Sequence, residues 1–149
     1  MNLIKYYKQA IIPPSIIVFT LITIYITYDN FFCEKYESEW LDAKSFYILE
    51  YFMGLIFTIS ISVLSLTIFF NKIEEVRRNK FSNFLSWFLL PSIWFIYIFA
   101  KHIRLIIHTE QYYWKETLFL SMVTIPFMIA LIISFIKFKK EQKRNILLN

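Results

Sequence analysis

The chain has 149 residues, of which 58% are hydrophobic and 21% aromatic, with a net charge of +5 and a single glycine. A water-soluble domain of this length has no interior for so many apolar side chains, and a disordered or collagenous chain lives on the Gly, Pro and charge that are scarce here. Both classes are excluded, and lipid is the solvent that fits; the wealth of Ile, Lys, Asn and Phe also resembles the coding bias of AT-rich bacterial or mobile genes.

In chain order, the first apolar run covers residues 10–28. It is too long for a signal-peptide core and is followed by no small-residue cleavage site, so it is expected to stay as a membrane span. Pro13 and Pro14 stand near its start, where a missing amide donor is tolerated, and the preceding segment with Lys5 and Lys8 is expected to lie along the membrane interface. Thr20, Thr23 and Thr27 form a hydroxyl stripe, which Asn30 continues.

The loop at 29–47 is acidic and aromatic. Asp29, Glu34, Glu37, Glu39 and Asp42 stand against Lys35 and Lys44, and Phe31, Phe32, Tyr36, Trp40, Phe46 and Tyr47 suit a membrane surface. Cys33 is the single cysteine, so no intramolecular disulfide can form.

The second run covers 48–70 and carries Gly54, Thr58, Ser62 and Ser65 at spacings of four, four and three, a small-residue face of the kind that lets membrane helices approach closely. Intramolecular packing is the foremost reading of these stripes; oligomer contact and a polar path are the alternatives. Glu50, four residues before Gly54, extends the same face.

The third run, 84–100 with an extension toward 107, contains Pro91 and ends in Lys101, Arg104 and His108, which make one basic edge. The fourth run, 118–136, contains Pro126, with Glu116 just before it. Each internal proline removes a helical hydrogen bond and is expected to kink its helix. A charge at the end of a span snorkels or finds a partner, so Glu50 is expected to pair with Lys101 or Arg104, Glu116 being the spare carboxylate.

Each run approaches the ~20 residues that a helix needs to cross ~30 Å of hydrocarbon, and none alternates in polarity as a barrel strand would. Of the 16 Lys and Arg residues, 11 flank the chain ends and the middle loop. The expected architecture is an all-α integral membrane protein, one compact bundle of four transmembrane helices with both termini cytoplasmic. The basic rim is accounted for by lipid head groups, without direct nucleic-acid binding.

Several membrane chemistries find no residues to carry them. Thiol oxidoreduction needs paired cysteines, haem or metal ligation needs more than His102 and His108 six residues apart on one helix, and no glycine loop surrounds Gly54. A proton-coupled drug exporter of the small multidrug type would carry an acidic residue deep in its first span, and 10–28 has none. No cofactor or metal is expected. The expectation is a small non-enzymatic protein of the bacterial inner membrane that acts through partners, of immunity, anti-phage defence or envelope-accessory type, as a homo-oligomer and with room for a separate soluble protein partner. An oligomeric channel or membrane-disrupting effector is the first alternative, and a small transporter the second.

Overall fold

Side-chain periodicity explains the first helix. In a computed structural model, which describes residues 2–32, 43–109 and 114–147, α1 runs unbroken over Leu3–Phe32. Its buried positions Leu3, Tyr6, Ala10, Pro14, Val18, Ile22 and Tyr25 recur every three or four residues and form one stripe facing the bundle. The helix therefore starts well before the prolines. Pro13 and Pro14 lie inside it, and the segment with Lys5 and Lys8 is its first turns, with Leu3 and Tyr6 in the core.

The second span is built in two geometries. Ala43–Leu64 is α-helical (α2), and Ser65–Lys72 continues as a 3-10 helix. A 3-10 helix has three residues per turn, so its inner face repeats in threes, and Ser65, Ile68 and Asn71 are its buried residues. The spacing of three at Ser62–Ser65 is where the change begins. The short helix α3, Glu74–Arg78, then leads through Asn79 into α4, Lys80–Thr109. The Asn79 side-chain oxygen accepts from the amides of Phe81 and Ser82, which satisfies two of the free donors at the α4 start. The last helix, α5, spans Trp114–Leu147. Both α4 and α5 continue as helix through Pro91 and Pro126.

Four segments, Leu3–Asp29, Tyr47–Lys72, Lys80–His108 and Lys115–Arg144, are long and apolar enough to cross a membrane. The surface agrees with that solvent: Ile4, Ile16, Ile48, Ile96, Ile107 and Ile136 each leave more than half of their area exposed. In lipid, burying one more Leu or Ile gains little, and the bundle must be held by close packing and hydrogen bonds.

That packing is uneven along the bundle. Helix α1 lies against α5 along much of its length and also against α2, whereas α4 meets mainly the 3-10 segment and α3 and touches α2 and α5 sparingly. One core cluster, at the end carrying the termini and the middle loop, joins Leu3, Tyr6, Ala10, Ile68, Trp87, Phe88, Leu131 and Phe138. Its aromatic contacts include Trp87 against Phe138 at 5.3 Å and Tyr6 edge-on to Phe138 at 5.7 Å. The second cluster, around Val18, Ile22, Ile61, Phe95 and Phe127, occupies the middle. The buried residues of α4 all lie between Asn83 and Phe95, so the half of α4 beyond Phe95 has no fully buried side chain among the described residues.

Candidate functional site

Where α4 loosens from its neighbours, at the end away from the termini, the bundle holds a cavity of about 600 Å³. All four spans line it: Tyr25 from α1, Glu50, Met53 and Phe57 from α2, Trp94, Ile98 and His102 from α4, and Lys115, Glu116 and Phe119 from α5. Trp94, Ile98 and His102 share a face of α4 because they are four residues apart. The walls are mainly apolar and aromatic, with the Phe57 and Trp94 rings 6.4 Å apart.

The polar groups at this end are partly matched. Lys115 Nζ donates to Asp29 Oδ1 at 2.7 Å, an ion pair that clamps α5 to α1. His102 Nε2 and Thr117 Oγ1 are 2.7 Å apart and tie α4 to α5. Glu50 stands within electrostatic reach of Asp29 and Lys115, yet its Oε2 is buried with no hydrogen-bond partner among the described residues, and Trp94 Nε1 is in the same condition. Buried polar atoms left unpaired are costly and uncommon in folded proteins.

The expected pairing of Glu50 with Lys101 or Arg104 is replaced by this arrangement. The basic edge of Lys101, Arg104 and His108 lies roughly a quarter-turn from the face that carries Trp94 and His102. All three residues are exposed, no ion pair joins them to Glu50 among the described residues, and the Lys101 ammonium sits 5.7 Å over the Tyr97 ring. Glu116 lines the same cavity but is exposed.

The two stripes part company as well. Gly54 is buried against α1, so close that a Cβ added there would come within 2.5 Å of Ile22 Cδ1. Thr58 and Ser62 bond back to the carbonyls of Gly54 and Thr58, Ser65 is buried, and Tyr7 donates to the Ser62 carbonyl at 3.0 Å. That face is an intramolecular contact. Thr20, Thr23 and Thr27 lie on the opposite face of α1 from Val18 and Ile22, and all three are exposed. They bond to the carbonyls of Ile16, Phe19 and Thr23, and Thr23 also meets the Tyr51 hydroxyl at 2.8 Å. The stripes do not face one another. Cys33 and the acidic residues from Glu34 to Asp42 lie outside the described residues.

Sequence reasoning missed a second polar cluster, at the terminal end. Asn71, fully buried, donates from Nδ2 to the Ile68 carbonyl at 3.0 Å and to Ser86 Oγ at 2.6 Å; Ser86 in turn donates to the Asn83 carbonyl at 2.7 Å. The Arg77 carbonyl, left free at the end of α3, accepts from Asn83 Nδ2 at 3.2 Å and from Gln142 Nε2 at 2.9 Å. The Tyr6 hydroxyl donates to the Glu141 carboxylate. These contacts join α1, the 3-10 segment, α3, α4 and α5, and the one trace of them in the sequence is the run of threes from Ser62 through Ser65 and Ile68 to Asn71.

No group of three or more His, Cys, Asp or Glu side chains able to hold a metal ion occurs among the described residues. Comparison of the chain with known protein families, with curated proteins and with solved structures finds no match.

Proposed function

We propose that the chain is a multi-pass protein of a bacterial inner membrane, with both termini and the middle loop in the cytoplasm, that works without catalysis by holding a guest or partner at its far-end cavity. The observation that carries this reading is the cavity itself: four spans converge on it, its walls are mainly apolar, and the Glu50 and Trp94 side chains line it. A pocket of mixed character with a few convergent polar groups is the usual form of a binding site, and an ionisable side chain near the membrane interior is costly unless it serves one.

Partner-dependent roles in immunity, anti-phage defence or envelope support suit a protein with so little mass outside its spans. The exposed stripe of Thr20, Thr23 and Thr27 supports homo-oligomer contact, since small residues facing lipid let a second copy approach. A soluble partner would meet the basic rim.

A photo-crosslinking residue at Met53, which lines the cavity, is the test, with one at Phe81, exposed at the other end, as the control. The reading expects a discrete adduct from Met53 in native membranes and none from Phe81. Equal, diffuse labelling from both positions, together with ion flux through liposomes holding the pure protein, would replace it with the channel. A protein strictly monomeric in mild detergent and in nanodiscs would remove the homo-oligomer.

A further inference from the structure

We infer that the far-end cavity takes an amphipathic organic cation, its ammonium group on Glu50 and its apolar body against Phe57, Trp94 and Phe119. The inference rests on the reading of the cavity as a binding site and adds the chemical class of its guest.

Charge is the first argument. Among the described residues, five ionisable side chains line the cavity: Glu50, Glu116, Lys115, His102 and the neutral phenol of Tyr25. The two that can be cationic are engaged, Lys115 with Asp29 at 2.7 Å and His102 with Thr117 at 2.7 Å. Lys115 is within reach of Glu50, but Asp29 offsets its charge at closer range. Among the described residues, two carboxylates thus line the space against one ammonium already neutralised. An anion placed there would meet like charge, and a neutral guest would leave the excess of carboxylate uncompensated. A protonated amine supplies both the positive charge and the N–H donors that a carboxylate accepts.

The walls are the second argument. Trp94, Phe57, Phe119 and Tyr25 give an aromatic lining, and aromatic faces attract a cation as well as an alkyl chain. The volume of about 600 Å³ falls in the ~300–1,000 Å³ range of small-molecule sites.

The test uses the full chain in zwitterionic phosphatidylcholine nanodiscs, titrated calorimetrically with octylammonium, octanol and octanoate against empty discs. These probes share one chain and differ in head-group charge. Octylammonium is expected to bind saturably and roughly ten-fold or more tighter than octanol, with octanoate weakest, ten-fold being the scale of one charge-assisted contact. Glu50→Gln should bring octylammonium down to the level of octanol while octanol binding is unchanged, which also shows that the variant is folded. Lys101→Gln, on the exposed edge outside the cavity, should alter neither. Equal, mutually competitive binding of octylammonium and octanol by the unaltered chain would overturn the cation and leave the cavity reading standing. No saturable binding of any probe would overturn both, and an ammonium preference that survives Glu50→Gln would remove Glu50 as its source.

Discussion

Gly54 and Ile22 bring α2 against α1 closely enough for the contact to be measured. Adding one methyl group at Gly54 drives it to 2.5 Å from Ile22 Cδ1, and Ile22, at 0% exposure among Val18, Ile61 and Phe95, has little room to turn away. Overpacking of this kind costs about 1–3 kcal/mol, against which the better helix propensity of alanine returns at most about 1 kcal/mol. Gly54→Ala should therefore destabilise by about 1–2 kcal/mol. Ile22→Val deletes the very atom that would clash, and alone should cost about 0.5–1.5 kcal/mol. The methyl added at Gly54 can occupy the space that Cδ1 vacates, so the double variant should be more stable than the sum of the singles predicts, by about 1 kcal/mol or more. Unfolding in mixed micelles, followed by circular dichroism as denaturing detergent is titrated in, measures all four corners of the cycle. Additivity within about 0.5 kcal/mol, or a Gly54→Ala variant more stable than the parent, would refute close packing of α1 on α2 at this point.

Three other outcomes are expected. Asn71→Ala removes the side chain that joins the 3-10 segment to Ser86, and should cost about 1–3 kcal/mol in the same unfolding assay, with faster amide exchange concentrated near Ile68 and Ser86. In double-mutant cycles, Lys115→Gln and Asp29→Asn should couple by up to about 1 kcal/mol, the pair being partly exposed, whereas Glu50→Gln with Lys101→Gln or Arg104→Gln should be additive. For topology, cysteines placed between Glu34 and Asp42 after Cys33 is removed should react with a membrane-impermeant thiol reagent in intact cells, and cysteines at Arg77 or Arg144 should not; labelling at Arg77 would reverse the orientation.

Hydropathy locates all four long helices, because each run is apolar enough that lipid alone accounts for it. The ends are harder to read, since polar residues there are buried by tertiary contact. Tyr6 and Tyr7 look interfacial in sequence, yet they enter the bundle through Glu141 and the Ser62 carbonyl and carry α1 back to Leu3. Gln142 likewise holds the end of α5 against Arg77. The small-residue face of α2 is readable as a contact because Gly54 has an obvious use; the threonines of α1 have the same spacing and face outward, and spacing alone does not say which face turns inward. Glu50 is recognisable as unusual, but its neighbours Asp29 and Lys115 come from spans that lie together only after folding. Lys101 and Arg104 were the nearer choice by sequence pattern, and the rotation of α4 turns them away.

The 3-10 segment gives the second span extra length. At ~2.0 Å per residue instead of ~1.5 Å, the eight residues of Ser65–Lys72 extend ~4 Å further along the axis than they would as α-helix, and they end rotated by ~160°. Among the described residues, the other three long helices carry no such reserve. Winding the segment into α-helix would swing Asn71 off Ser86, so that hydrogen bond favours the extended form. A thinner bilayer favours a shorter span. The second span is then expected to yield at the Asn71–Ser86 contact before the other spans move, which amide exchange at Ile68 and Asn71 across lipids of graded chain length would register.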